Sequence, residues 1–251
     1  MISMRWLILS LTIFATGPAF AAAPTVRDGG AIDVGDVTYR LDGIDAPALD
    51  QSCIDDHADS WTCGVEVRDQ LTALIKGREV HCEDQGPDAT YRRWHLGVCT
   101  AEGETASLNQ LLVRRGLALN AAHGGRFASD EKEAKDNRRG LWKGCFVAPQ
   151  DFRSGRKDGA LLGAACRTDK DREIREVLFP LAPAAPSGCR IKGKYALRAR
   201  VTGNIGIYHL QICRSYPAMT NPDRWFCSED DAKAAGFRKA YNCRPFSRQR
   251  S

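Results

Sequence analysis

One short segment constrains the fold of this chain more than any other. Residues 39–47 read Tyr-Arg-Leu-Asp-Gly-Ile-Asp-Ala-Pro. The turn residues Gly35-Asp36 precede a short strand that we place at Val37–Leu41. Pro47 then fixes a turn, because proline restricts its own φ angle and the conformation of the residue before it. The segment therefore presents Arg40 and then Asp45 where a strand ends and a rigid turn begins.

Short strands and amphipathic helices are predicted around this segment. Val67, Leu71 and Leu74 recur at helical spacing, and Gly77 stands where a left-handed cap belongs. The order favours a small barrel with packed helices, although other mixed folds would also fit it. The predicted strands are 31–34, 37–41, 78–83 and 94–100, and the predicted helices are 63–76, 107–115 and 129–140.

Residues 40–48 resemble the signature of the staphylococcal nuclease-like (thermonuclease-like) family, Arg-Leu-x-Gly-Ile-Asp-Ala-Pro-Glu. The stretches 116–118 and 139–142 are similar to the helix ends usual in that family. The resemblance covers roughly 25–153, about half of the chain. It implies an α+β domain at 22–153, a five-stranded β-barrel of the oligonucleotide-binding-fold type with three helices, and calcium-dependent hydrolysis of DNA or RNA.

The resemblance also implies a pair of phosphate-binding arginines. Arg40 matches the first, and Arg93 matches the second, although the motif around Arg93 is one residue longer than in the family. Arginine suits this task because its planar, permanently charged fork can bond two phosphate oxygens at once.

The calcium site implied by the resemblance is incomplete. Asp45 matches one ligand and the backbone carbonyl of Ala46 another, with Asp28 expected behind them. Gly30 takes the place of a further ligand carboxylate. Because ligand charge tunes calcium affinity, we expect at most a weak calcium site.

The family's general base is also missing, because Ala48 stands where the signature has glutamate. A general base contributes typically ~100 to 10,000-fold to the rate. Asp50, two residues further on, is the nearest substitute, but its spacing does not return a carboxylate to the same place without a local rearrangement. We therefore expect phosphodiesterase activity to be weak or absent.

Ten cysteines in a chain with an apparent export signal favour disulfides. We favour Cys53 with Cys63 and Cys82 with Cys99, and we expect one bridge from Cys145 to the later set, in which Cys166 is nearest. A zinc site among the later cysteines and His209 is the rival, but close Cys-x-x-Cys pairs are absent, so no zinc is expected. The later cysteines are Cys166, Cys189, Cys213, Cys227 and Cys243.

Residues 1–21 predict a cleavable signal peptide, because an apolar run after Arg5 leads to a small-residue site at Ala19-Phe20-Ala21. That run is shorter than the roughly 20 residues that span a bilayer, and no later segment is long enough. A periplasmic or secreted protein, monomeric, is the expectation. The net charge of +5 is compatible with a polyanionic partner such as nucleic acid but does not by itself argue for one.

Beyond the first domain the composition changes. Residues 154–188 predict a linker with a helical stretch, because prolines and alanines follow a charged run. Residues 189–243 look like a small cysteine-rich module found after thermonuclease-like domains in exported bacterial proteins. Residues 244–251 predict a basic, mobile tail.

Two functions compete at this stage. One is an exported calcium-dependent nuclease that holds phosphate with Arg40 and Arg93. The other is a noncatalytic envelope protein, with nucleic acid or a polysaccharide as its ligand. The losses at Gly30 and Ala48 favour the second for activity, whereas the signature favours the first for ancestry.

Overall fold

The computed structural model describes residues 23–121 and 125–243. The predicted signal peptide and basic tail lie outside these residues. Within the described part of the chain, none of the helices combines the length and the apolar character needed to cross a bilayer.

The first domain is built on a mixed five-stranded sheet. Val37–Leu41 pairs in parallel with His95–Ala101, and the other neighbours are antiparallel. Together with several helices, this sheet gives the α+β fold that the sequence predicts. In spatial order the strands are Thr25–Asp28, Ala31–Val34, Val37–Leu41, His95–Ala101 and Val80–Pro87.

The helix Cys63–Ile75 covers this sheet with the apolar face predicted from its spacing. Val67 and Leu71 are fully buried among Ile32 and Leu41 of the sheet. The helix Leu108–Arg114 begins after Ser107, whose side chain accepts a hydrogen bond from the Gln110 amide and so satisfies a free helix-end donor.

The third helix is shorter than predicted. It spans Ala128–Asp136 instead of 129–140, and a 3₁₀ turn follows at Gly140–Lys143. Arg138 and Gly140 adopt positive φ angles of 49° and 52°, which end the helix. A Cβ at Gly140 would lie 2.5 Å from the Gly116 carbonyl oxygen, so only glycine fits there.

The predicted linker contains its expected helix, and this part of the chain packs onto the first domain. Phe146–Val147 pairs with Leu161–Leu162, and Cys145 is bonded to Cys166. The helix Asp171–Leu178 buries two apolar side chains in the cluster that also contains Phe152. The first domain is therefore extended beyond residue 153 by a disulfide and an apolar contact.

The C-terminal module has its own four-stranded sheet and core. Tyr208, Phe226 and Phe237 are almost fully buried, so these aromatic side chains form the core instead of an exposed stacking surface. In spatial order the strands are Arg224–Phe226, Ile191–Tyr195, Gly206–His209 and Phe237–Lys239.

The remaining elements are short. Two-residue strand pairs join Ile44–Asp45 to Leu119–Asn120 and Cys53–Ile54 to Ser60–Trp61. The other helical segments are Pro149–Ser154, Thr168–Lys170, Leu197–Thr202 and Glu229–Ala234.

Five disulfides bond all ten cysteines. The first three are the pairs favoured from the sequence, and the last two hold the C-terminal module together. The pairs are Cys53–Cys63, Cys82–Cys99, Cys145–Cys166, Cys189–Cys227 and Cys213–Cys243.

Candidate functional site

A cleft of about 800 Å³ lies between the first domain and the C-terminal module. The first domain lines it with the strand end at Arg40, the turn 45–50 and the helix Pro149–Ser154. The module lines it with residues 224–227 and with the helix Glu229–Ala234. Of the phosphate- and metal-binding residues predicted from the sequence, Arg40, Asp45 and Ala46 line the first of these walls, and none lies in the second.

Arg40 lines the cleft and is paired within the protein. Its Nε donates to the carboxylate of Asp88, whose side chain is fully buried. Burial opposes ionisation of Asp88, but hydrogen bonds from Arg40 and from the Thr90 and Tyr91 amides outweigh it, so the pKa of Asp88 is lowered. Much of the positive charge of Arg40 is thus neutralised.

Arg93 is not part of the cleft wall. Its side chain is 80% exposed and forms an ion pair with Asp230 of the C-terminal module. The structure therefore does not bring Arg40 and Arg93 together as two cations that face one cleft.

The two expected metal ligands, Asp45 and Ala46, lie together in the turn, but Arg153 contacts both. Its Nη2 forms an ion pair with Asp45 Oδ1, and its Nη1 donates to the Ala46 carbonyl oxygen at 3.0 Å. The second carboxylate oxygen of Asp45 accepts a hydrogen bond from the Gln150 amide at 3.0 Å.

Asp28 and Gly30 lie beside this turn. The Asp28 carboxylate accepts a hydrogen bond from the Gly30 amide at 2.7 Å. Burial raises the pKa of Asp28, although backbone hydrogen bonds and the charges of Arg153 and Arg40 oppose the shift. A Cβ at Gly30 would lie 3.5 Å from the Ala46 Cβ, an ordinary contact, so nothing in the backbone excludes a side chain there.

This set of residues does not fit calcium. Calcium takes six to eight oxygen ligands and favours several carboxylates. Here one ligand position has no side chain, and the guanidinium of Arg153 uses the oxygens of Asp45 and Ala46 that would face an ion. Two cations do not share these oxygens without strong repulsion.

Ala48 has no group that could activate water. Its methyl group packs against the apolar cluster that contains Ile54 and Phe152, and its carbonyl oxygen accepts a hydrogen bond from Gln51. The start of the helix at Gly64 lies so close that a Cβ there would be 1.9 Å from this carbonyl oxygen. The turn around Ala48 is therefore tightly packed.

Asp50 is engaged in a buried ion pair with Arg224 of the C-terminal module. The guanidinium donates two hydrogen bonds, at 2.7 and 2.8 Å, and the Trp225 amide donates a third at 2.9 Å. The side chains are only 2% and 3% exposed. Burial works against the charge on Arg224, but Asp50 outweighs it and raises the pKa of Arg224 further. In this arrangement Asp50 is held in the ion pair and is not available as a general base.

Two further titratable groups face the cleft. Burial raises the pKa of Asp231 to about 6, and the nearby charge of Asp28 adds to the shift, while a hydrogen bond from Ser228 opposes it. Burial also raises the pKa of Tyr91, whose ring stacks on Trp94 with centroids 3.9 Å apart. Tyr91 therefore keeps its proton and can donate it in a hydrogen bond.

A cluster with metal-ligand residue types lies in the C-terminal module. His209, Cys213 and Cys243 place their ligand atoms within 4.8 Å of one another. The two cysteines are bonded to each other, so they offer no thiolate in this form of the protein. His209 contacts Ser215 through Nδ1.

Two comparisons with known proteins bear on the family of the chain. The model of the staphylococcal nuclease homologue family matches residues 38–144. A relative named "Succinoglycan biosynthesis protein ExoI", from Rhizobium meliloti (strain 1021), is 31% identical over 140 residues, which are 52% of this chain and 71% of the relative. The chain belongs to the staphylococcal nuclease family, which confirms the family predicted from the sequence.

Sequence reasoning missed Arg153 and Arg224, which hold the two acidic residues of the turn. Arg153 lies outside the residues that the family model matches, at the end of a short helix bounded by Pro149 and Gly155. No motif marks it. An excess of arginines after the matched segment was the only available signal, and it does not say which carboxylate each one meets.

Proposed function

We propose that this chain is an exported, nuclease-derived accessory protein whose phosphodiesterase activity is weak or absent. The observation that carries the proposal is the state of the turn 45–50: Asp45 is paired with Arg153, position 48 is alanine, and Asp50 is paired with Arg224. No carboxylate of this turn is free to bind a metal ion or to take a proton from water. We also infer that the first domain is a barrel of the oligonucleotide-binding-fold type.

The ion pairs of Asp45 and Asp50 occupy groups that phosphodiester hydrolysis would need. Phosphodiester hydrolysis needs an activated water and stabilisation of the charge that develops on the phosphate. Arg40 remains in the cleft and uses its Nε for Asp88, so its terminal nitrogens are the groups that would contact an anionic ligand. One partly neutralised arginine can hold an anion but supplies no base.

A nuclease assay tests the proposal. We expect the purified protein to digest single-stranded DNA in calcium no faster than its Arg40→Ala variant, because neither has a general base. An Arg190→Ala variant, changed at an exposed position of the module, serves as the control for purification. Robust calcium-dependent cleavage that Arg40→Ala abolishes would overturn the proposal.

Adding carboxylates at positions 30 and 48 provides a second test of the proposal. Gly30→Asp with Ala48→Glu supplies the two missing carboxylates and should raise the cleavage rate above background. Adding Arg153→Met removes the competing cation, and we expect this triple variant to exceed the wild-type rate by at least about 100-fold, the lower end of what a general base contributes. A folded triple variant that stays at background would contradict this assignment of the missing groups.

A polysaccharide is the second candidate ligand, for two reasons. The relative reported above is named for succinoglycan biosynthesis. In addition, carboxylates outnumber arginines in the cleft wall, so a polyphosphate would meet no net positive charge there, whereas sugar hydroxyl groups need none. The groups are Asp28, Asp45, Asp50, Asp151 and Asp231 against Arg40, Arg153 and Arg224.

Affinity electrophoresis separates these two ligand classes. The protein and its Arg40→Ala variant are run through gels that contain either a bacterial exopolysaccharide or single-stranded DNA. Retardation by the polysaccharide alone supports the second candidate. Retardation by DNA alone, lost in Arg40→Ala and kept in Arg190→Ala, supports a nucleic-acid ligand.

A further inference from the structure

We infer that the guanidinium group of Arg153 is a built-in cation that replaces the metal ion at the turn 45–46, so that this site is complete without a divalent ion. The inference goes beyond the proposed function, because it holds whether the cleft binds a polysaccharide, a nucleic acid or neither.

Arg153 contacts both oxygen-bearing groups that remain of the expected ligand set. Its two terminal nitrogens divide between them, with Nη2 on the Asp45 carboxylate and Nη1 on the Ala46 carbonyl oxygen at 3.0 Å. A planar fork can bind two acceptors that also suit a hard cation, because an oxygen lone pair can be directed at an N–H group or at a metal ion. One arginine therefore satisfies the oxygens that an ion would otherwise hold together.

The helix that carries Arg153 also supplies a donor to the second carboxylate oxygen of Asp45. The helix Pro149–Ser154 supplies the Gln150 amide to Oδ2 of Asp45, while Arg153 pairs with Oδ1. Both carboxylate oxygens thus have donors from this helix, and the side chain of Asp45 is only 17% exposed. Buried charges are costly unless they are paired, so an unpaired carboxylate here would be unfavourable.

The C-terminal module holds this helix in place. Arg224 Nη1 donates to the backbone carbonyl oxygen of Arg153 at 3.3 Å. Its guanidinium carbon also lies 4.6 Å from the ring centroid of Phe152, the residue before Arg153. Because Arg224 is itself anchored by Asp50, the position of the built-in cation depends on contacts from both domains.

With Arg153 in place of a metal ion, the turn cannot activate water. A guanidinium stays protonated in proteins and donates hydrogen bonds, but it has no vacant position at which water could bind and become acidic. It can therefore neutralise Asp45 and orient the turn, but it cannot generate a nucleophile. A further ligand carboxylate at Gly30 is then not needed to balance the charge.

Metal titration followed by unfolding temperature and by terbium luminescence tests the inference, with no activity assay involved. For the wild-type protein we expect millimolar calcium to leave the unfolding temperature unchanged and terbium to give no saturable signal. Saturable binding of either ion to wild type, lost on Asp45→Asn, would overturn the inference. The expected result of this arm is obtained with the wild-type protein alone.

The second arm removes the cation and restores a ligand. Arg153→Met keeps much of the aliphatic length, and Gly30→Asp adds a carboxylate where a Cβ fits. We expect the double variant to give a saturable terbium signal, with an apparent affinity at least roughly tenfold above the detection limit that wild type does not reach, because ligand charge sets affinity in such sites. Calcium should then raise its unfolding temperature.

The matched control is Arg156→Met with Gly30→Asp, because Arg156 pairs with Asp151 instead of Asp45. The control should bind terbium no better than wild type. Equal binding by the two double variants, or no gain in a folded Arg153→Met/Gly30→Asp protein, would overturn the inference. The proposed function would survive that result, because its own test is the nuclease assay.

Discussion

Two ion pairs between the first domain and the C-terminal module use the same chemistry in opposite surroundings. Asp50 and Arg224 are almost completely buried beside the cleft, whereas Arg93 is exposed where it meets Asp230. Exposed pairs contribute little because water screens them, whereas breaking a buried pair leaves a charge without solvent or partner. The buried pair therefore anchors the module at the cleft, whereas the exposed pair adds little to the attachment of the module.

The largest expected effect comes from breaking the buried pair. Arg224→Ala should lower the free energy of unfolding by about 3–5 kcal/mol, because Asp50 would stay buried without its partner. Urea unfolding with the disulfides intact measures this, and Arg190→Ala in the same module should change stability by less than about 0.5 kcal/mol.

Replacing both partners sharpens that result. Asp50→Leu with Arg224→Met removes the two charges together and should cost less than Arg224→Ala, because no buried charge is left unpaired. A loss below about 1 kcal/mol for Arg224→Ala would mean that the pair behaves as an exposed one in solution and would remove the contrast.

An intermediate effect is expected from Asp231, which faces the cleft from the module. Its folded-state pKa of about 6 lies above the ordinary value of 3.8, so the folded protein holds a proton that the unfolded chain releases between these values. The stability contributed by this proton is present below pH 3.8 and is lost as the pH rises through 6.

Unfolding measured from pH 4 to pH 7 for wild type and Asp231→Asn checks this prediction. Asparagine mimics the protonated carboxyl and can still accept the hydrogen bond from Ser228. The difference in stability between the two proteins should favour Asp231→Asn increasingly as the pH rises. A difference that is constant with pH would show that the carboxyl is ionised throughout.

The smallest expected effect comes from the exposed pair. Arg93→Ala should change the free energy of unfolding by no more than about 1 kcal/mol, because its partner Asp230 is left in contact with solvent. In high salt the effect should be smaller still, because salt screens exposed charges. A loss comparable to that of Arg224→Ala would show that this pair also anchors the module.

Local patterns made much of the fold predictable. The strand Val37–Leu41 has the predicted bounds, and the helix Cys63–Ile75 ends one residue before the predicted end, because alternation and helical spacing are properties of neighbouring residues. The third helix was predicted too long because the left-handed backbone at Arg138 depends on how Gly140 packs against Gly116. The packing of residues 161–178 onto the first domain had no local signal.

The signature around Arg40 and Asp45 was enough to predict the family, and the glycine at position 30 and the alanine at position 48 are visible in the sequence alone. Which groups the charged side chains contact depends on the tertiary fold. Arg153 and Arg224 meet their carboxylates across 108 and 174 residues of sequence, and such pairing depends on distance and on the loss of water around both groups. Neither quantity exists until the chain has folded, and the Asp50–Arg224 pair also needs the two domains to pack together.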